Sequence, residues 1–364
     1  MAFCKRAYKQ NLVLFGGIIV GVLGAILVKL GNPANMGLCF VCFYRDIAGS
    51  LGLQMNPLVQ YLRPEILGIF FGTFLSALVF KDFNPRGGSS PGIRFLLGML
   101  IMVGGLIFLG CPIRAIYRMA GGDLSALGGL LGIPFGAYLG LLFLTKGYNL
   151  GASRPLPRWL TIIPLAFFGV LTILLGVKLW LATPYPFFSV KGPGAQHAPV
   201  LISLALGGLA GVIFQRSRLC LSGGFRDIFL FNDFYLLKGF LGILIGAFVA
   251  NLFLGQFRPA LVGPVAHGNL AANFLGMGLL GFAAVLLGGC PMRQLIMTWE
   301  ANLDSFAAIL GMFAGAGLMH NLGLAASPAG VSVNGWLALA VGYLLAFAIA
   351  WVFCQARATA KGGA

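Results

Sequence analysis

Charge is what this sequence has least of. Only 9% of its 364 residues are Asp, Glu, Lys or Arg, and just 8 are acidic. A soluble globular domain carries about a quarter charged residues, so a soluble fold is excluded. With 59% hydrophobic residues the chain reads as an integral membrane protein. Histidine is scarce too: His197, His267 and His320 stand apart from one another, which leaves no four-ligand zinc site. A Gly-rich phosphate loop, a Ser-His-Asp set and a nucleotide motif are all missing, which excludes an ATP-driven machine. The net charge of +16 comes from short basic clusters between apolar runs. That pattern marks membrane topology rather than a nucleic-acid footprint.

What the chain has instead is glycine, 55 residues of it. In lipid, small residues let helix backbones approach closely. Gly128, Gly132, Gly136 and Gly140 recur every fourth residue, which predicts a packing face on one helix. Seven cysteines in such a chain do not make a disulfide framework, which belongs to small secreted domains. Cys4 and Cys354, near the termini, read as spare thiols.

Ten runs have the length and apolarity to cross a bilayer, near 11–30, 64–80, 93–110, 124–145, 159–182, 199–215, 235–255, 271–289, 304–322 and 335–354. Lys5, Arg6 and Lys9 precede the first run, and no small-residue cleavage site follows it, so it reads as a retained helix. With the N-terminus inside, 16 Lys and Arg residues fall on the cytoplasmic side and 8 outside, among the latter Arg45, Arg63, Arg114 and Arg118. The bias predicts N-in and C-in. The loops at 83–94 and 147–158 are polar and cytoplasmic, and 184–199 is an outer loop holding Lys191 and His197.

One stretch occurs twice. Leu109-Gly110-Cys111-Pro112-Ile113-Arg114 returns 179 residues later as Gly288-Gly289-Cys290-Pro291-Met292-Arg293, and the same shift carries Gly132 onto Gly311 and Gly136 onto Gly315. A second pair of segments also matches: Cys39 leads to Arg45-Asp46, and Cys220 leads in the same register to Arg226-Asp227. These four segments are too apolar for solvated loops and too broken by Pro and Gly for spanning helices, which predicts re-entrant pieces. Irregular backbone at membrane depth is tolerated where it lines a polar cavity or is buried in protein, so all four are expected along one central path. The run at 159–182 separates two sets of four spans, so the second half is expected upside down relative to the first. The expected architecture is an all-α polytopic protein of about ten spanning helices and four short re-entrant helices, two inverted repeats in all. Residues 1–158 are the first repeat, 159–198 a linker helix and outer loop, 199–334 the inverted repeat, and 335–364 a C-terminal helix and tail.

Proline after Cys111 and Cys290 suits the first position of a helix, which makes each cysteine an N-cap. A thiol there faces free N–H groups and the positive end of the helix dipole, a setting for a reactive thiol and for anions. Arg114 and Arg293 can fold back over the same turn and add a full charge. The bland alternative is a small capping residue with an arginine snorkelling to the interface, but it gives no reason for the cysteine to recur. Cys39 and Cys220 join the candidate path. Arg45-Asp46 and Arg226-Asp227 are expected to be ion-paired, as structural clamps or as substrate contacts. Cys42 makes a Cys-x-x-Cys with Cys39, by its spacing a redox pair or half a zinc site; the counterpart of Cys42 in the second half is Gly223, and Cys42 is a supporting residue of the path. Asp123 and Glu300 follow the two Cys-Pro segments without being equivalent, and acidic residues there can couple to protons or simply collect at loop ends.

The runs GNPANMGLCFVCFYRD, LGCPIR, MAGGDLSALGGLLG and GGCPMR resemble the YeeE/YedE family of bacterial inner-membrane proteins, which includes thiosulfate permeases, and look most like its selenium-associated branch. The likeness covers nearly the whole chain. It implies an hourglass of long helices with short re-entrant helices at the waist, where cysteines handle the sulfur anion. By that resemblance Cys39, Cys111 and Cys290 inherit a transport role, and Cys220 joins them through the internal repeat. Thiols suit a soft sulfur or selenium atom, and helix N-termini with arginine suit its anionic oxygens.

The function expected is inward transport of a small sulfur or selenium anion, handed between Cys111 and Cys290, in the bacterial inner membrane, with no metal and no cofactor. The expected partners are the anion and the bilayer, with room for a cytoplasmic sulfur-carrier protein and none for nucleic acid. Two other classes stay open: a membrane thiol oxidoreductase or sulfur transferase using Cys39 and Cys42, and a soft-metal carrier.

Overall fold

A computed structural model describes the backbone of residues 2–362 and the side chains of residues 12–354. Cys4, the basic residues Lys5, Arg6 and Lys9, and Arg357 and Lys361 at the other end lie outside the described side chains.

All ten apolar runs are helices, and each interrupted segment holds a short one. In chain order they are α1 (Ala2–Lys29), α2 (Phe40–Ser50), α3 (Pro64–Val79), α4 (Pro91–Phe108), α5 (Pro112–Ala120), α6 (Ala126–Thr145), α7 (Ile162–Leu181), α8 (Val200–Ser217), α9 (Leu221–Phe231), α10 (Tyr235–Phe253), α11 (Leu270–Leu287), α12 (Pro291–Trp299), α13 (Leu303–Asn321) and α14 (Val333–Gly362). Among the described residues nine helical stretches are long and apolar enough to cross a membrane, and α3, with 16 residues, is a shorter apolar helix. The chain is an all-α polytopic membrane protein. Among the described residues the only paired strands are Arg86–Gly87 and Arg154–Pro155, two residues each, which tie together the two polar loops.

Proline sets several starts. It occupies the first turn of α3, α4, α5 and α12, where its missing N–H costs nothing and its fixed φ suits the helix. Helices α4 and α11 end in the left-handed region, at Leu109 (φ 63) and Gly288 (φ 90). Glycine adopts that conformation freely, whereas leucine there costs about 1 kcal/mol or more.

The helices associate in pairs that each take one member from each half: α1 with α10, α3 with α8, α4 with α13 and α6 with α11. Glycine makes these contacts. A methyl group on Gly136 would strike the Gly278 carbonyl, one on Gly132 the Phe274 carbonyl, one on Gly98 the Ala308 carbonyl and one on Gly72 the Gly208 carbonyl. With no hydrophobic drive between helices in lipid, this close backbone packing is what holds them together. The contacts ascend together along both members of each pair, so the paired helices run parallel: Gly128 lies against Leu270, Gly132 against Phe274 and Gly136 against Gly278. Helices α4 and α11 cross the other way, with Gly104 against Leu280 and Ile107 against Gly276. Helices α7 and α14 lie at the periphery, against α3 and against α4 and α11.

Candidate functional site

The four short helices α2, α5, α9 and α12 each begin at a cysteine. Cys39, Cys111, Cys220 and Cys290 are their N-caps, all with extended backbone. The proline after Cys111 and Cys290 announces two of these caps. The other two are set by the sulfur itself: Cys39 Sγ accepts the Cys42 N–H at 3.4 Å and Cys220 Sγ accepts the Gly223 N–H at 3.3 Å. Each N-terminus turns its unpaired N–H groups and positive dipole end toward a thiol.

The thiols gather in two clusters. In the first, Cys39 Sγ lies 2.9 Å from Cys42 Sγ, and Cys111 is in electrostatic reach of Cys39. Cys111 Sγ closes no capping bond of its own helix. All three cysteines are buried. Arg114 is fully buried against them, which excludes snorkelling. Its Nη1 donates to Cys42 Sγ at 3.0 Å and to Leu109 O at 2.6 Å, and its Nη2 donates to Val265 O at 3.1 Å. The strained turn at Leu109 thus presents its carbonyl to the guanidinium. Nε has no partner, and among the described residues no carboxylate pairs with Arg114.

In the second cluster Cys220 and Cys290 are free thiols in electrostatic reach of each other. Arg293 departs from its counterpart. It donates to both oxygens of Glu300, at 3.3 and 3.1 Å, and Arg86 lies 3.8 Å from the same carboxylate. Its charge is therefore compensated. Between the clusters stands Tyr44 of α2, fully buried, in electrostatic reach of both Cys111 and Cys290. Its hydroxyl donates to Pro291 O at 3.3 Å and its ring packs edge-on against Phe313. The residue in the same register of the second half is Phe225.

The Arg-Asp pairs are ion-paired as expected, but unequally. Asp46 is fully buried and shared, with Arg45 and Arg63 each at 2.7 Å. Arg63 also donates to Pro193 O and Gln196 O, which ties the loop at 184–199 to the first half. Arg226 and Asp227, also 2.7 Å apart, are half-buried. Asp123 is engaged by Arg118 at 2.7 Å and by Ser125, and Glu300 by Arg293, so both acidic residues after the Cys-Pro segments are held in ion pairs. Arg45, Arg63, Arg114 and Arg118, counted above as outer-loop charges, are all buried in protein. They are structural and site charges, so four of the eight outer basic residues drop out of the topology count. Arg63, Arg118 and Tyr44 were not singled out from the sequence; a charged residue directly before Pro64 and a second arginine one turn after Arg114 were the available signals.

A cavity of about 330 Å³ opens beside α5, lined by Lys29, Asn35, Tyr117, Asn251 and Arg258 among others. None of the five clustered cysteines lines it. Tyr117, which also lines it, sets its ring against Gly37 and donates its hydroxyl to Val20 O at 2.6 Å.

Residues 216–361 match the sulphur-transport family. The matched segment contains Cys220, Arg226, Asp227, Cys290 and Arg293; the first thiol cluster lies outside it and is related to it by the internal repeat. The chain is similar to the thiosulfate transporter TsuA of Spirochaeta thermophila, 32% identical over 107 residues that cover 29% of this chain and 32% of that protein. It is also similar to the H+/Cl− exchange transporter ClcA of Klebsiella pneumoniae, 27% identical over 301 residues, 74% of this chain and 58% of that protein. The chain spans about a third of the first relative's length and a little over half of the second's.

Proposed function

We propose that this protein carries a small sulfur-containing anion across the membrane, with thiosulfate as the first candidate cargo and a selenium compound as the second. The observation that carries the reading is Arg114: a guanidinium fully buried beside the thiols, with Nε unpartnered and, among the described residues, no carboxylate paired with it. An isolated buried charge is costly, and a site that awaits an anion accounts for it. The thiols suit the soft terminal sulfur, while the cation and the helix N-termini suit the oxygens. The match to the sulphur-transport family and the likeness to a thiosulfate transporter support the same cargo.

In this reading the cargo enters by the cavity that holds Lys29 and Arg258, passes Tyr117, meets Cys39, Cys42 and Cys111 under Arg114, and crosses beside Tyr44 to Cys290 and Cys220. The hand-off from Cys111 to Cys290 spans the gap between clusters, and Tyr44 is the hydroxyl on that gap. The two halves, 1–158 and 199–334, are an inverted repeat forming an hourglass; the antiparallel crossing of the equivalent helices α4 and α11 supports this. The orientation is N-in and C-in in an inner membrane, with Cys220 and Cys290 toward the cytoplasm, where a sulfur-carrier protein would collect the cargo.

Uptake of labelled thiosulfate into vesicles containing the protein, with selenite and selenide tried separately, tests the proposal. Cys111→Ala and Cys290→Ala are each expected to abolish uptake while the chain still purifies as a folded species. Full transport by both variants refutes it.

A further inference from the structure

Cys42 has no equivalent in the second half, where Gly223 holds its place. Capping does not explain it. Cys39 and Cys220 accept the N–H three residues on with nearly the same geometry, 3.4 and 3.3 Å, whether that residue is Cys42 or Gly223. The extra thiol is fully buried, touches Cys39 Sγ at 2.9 Å and takes Arg114 Nη1 at 3.0 Å. The second cluster has neither a dithiol in one helix turn nor an uncompensated arginine, since Arg293 is paired with Glu300. The first cluster therefore has what two-electron sulfur chemistry needs: an attacking sulfur beside a positive charge and a resolving thiol in contact with it.

Resting on the sulfur-anion reading above, we propose that Cys39 and Cys42 form a sulfur-accepting dithiol that reacts with the terminal sulfur of a thiosulfate-type anion. The Cys42 thiolate attacks that sulfur. A new S–S bond forms on Cys42, the anion's own S–S bond breaks, and sulfite leaves with the bonding pair toward Arg114. The Cys39 thiolate then attacks Cys42 Sγ, which forms the Cys39–Cys42 disulfide and expels the terminal sulfur as hydrosulfide. Two thiols are oxidised by two electrons and the transferred sulfur is reduced by the same two. Of the two thiol protons, one leaves on hydrosulfide and one on sulfite. The chain reacts once and stops until an external dithiol reduces the disulfide, so the site modifies cargo stoichiometrically and does not turn over alone.

The test uses the full-length protein, reduced, in detergent, without oxygen, mixed with thiosulfate. Wild type is expected to release one sulfite and one sulfide per chain and to lose two titratable thiols. Cys42→Ala and the nearly isosteric Cys42→Ser release neither. Cys39→Ala releases sulfite but no sulfide, and its intact mass rises by one sulfur atom. Cys354→Ser, outside both clusters, behaves as wild type. Monodispersity and thermal unfolding verify that each variant is folded. A reduced wild-type protein that keeps all its thiols and releases neither product overturns the proposal. Vesicle uptake by the same wild-type preparation separates the two ideas: uptake without release refutes the dithiol step alone, and release without uptake supports the dithiol step and removes the transport reading.

Discussion

Arg114→Met separates anion binding from folding, because the two respond to the substitution differently. The native guanidinium is fully buried, hydrogen-bonded to Leu109 O, Val265 O and Cys42 Sγ and paired with no carboxylate among the described residues. Methionine fills much of the same volume without the charge. Two carbonyls lose a donor, at about 1–3 kcal/mol each, while the chain no longer desolvates an uncompensated cation, a relief of several kcal/mol. These effects oppose each other at similar size, so folding stability is expected to move by no more than about 2 kcal/mol in either direction. Anion binding has no such offset. Losing one hydrogen bond to a charged group costs about 1.5–3 kcal/mol, which at about 1.4 kcal/mol per decade is a roughly 10- to 100-fold weaker affinity. Thiosulfate titrated against thermal unfolding reads binding, and vesicle uptake reads transport. Arg114→Lys keeps the charge but not the planar fork, and should fall between the two. A methionine variant with wild-type affinity and uptake would refute the argument, as would one that fails to fold, which would make Arg114 a brace.

The other predictions concern packing, the buried ion network and the gap between clusters. Gly136→Ala pushes a methyl group into the Gly278 backbone and should destabilise by about 1–3 kcal/mol, whereas Gly169→Ala on α7, with open space around it, should stabilise by up to about 1 kcal/mol; unfolding shifts of the same sign would contradict the helix-packing account. Asp46→Asn leaves Arg45 and Arg63 buried without a countercharge, for a loss of about 3–5 kcal/mol. Asp227→Asn, at the half-buried equivalent, should cost under about 1 kcal/mol by the same unfolding assay. Tyr44→Phe removes one hydrogen bond, about 1 kcal/mol of stability, and should lower uptake at least about tenfold; unchanged uptake would remove the hydroxyl from the path.

The long helices were legible because apolar length and proline position act locally. The run read as 93–110 is the helix Pro91–Phe108, and the one read as 159–182 is Ile162–Leu181 preceded by a short 3-10 turn. The glycine face of α6 was legible for the same reason, since spacing by four fixes a face before any partner is known. Its partner was not legible: that Gly132 meets Phe274 depends on how α6 and α11 find each other across 140 residues of chain. Two of the four cysteine caps were announced by a following proline. The other two, at Cys39 and Cys220, depend on a sulfur accepting an N–H three residues on, which no local residue signals.

Arg114 and Arg293 mark the limit most sharply. In sequence they are the same feature twice, Cys-Pro-x-Arg, and the repeat assigns them the same role. The difference lies seven residues on, where the second copy has Glu300 and the first has Gly121. An acidic residue at that distance can point anywhere from a nine-residue helix and the turn after it. Only the fold shows that Glu300 turns back onto Arg293 with both oxygens while Arg114 faces Cys42 instead. Arg293 is partly exposed and Arg114 fully buried, and a compensated arginine and an uncompensated one have opposite consequences: the first anchors a helix end, and the second is stable only beside something negative. The sequence repeat therefore supplies two copies of one cap and thiol construction, and under the proposed function a single carboxylate decides which copy can hold an anion tightly. The added thiol Cys42 falls on the copy that lacks the carboxylate. Under the dithiol proposal, a sulfur at Cys42 positioned for attack needs the free cation that Glu300 denies to the other half, so the extra cysteine and the missing acid belong to one arrangement.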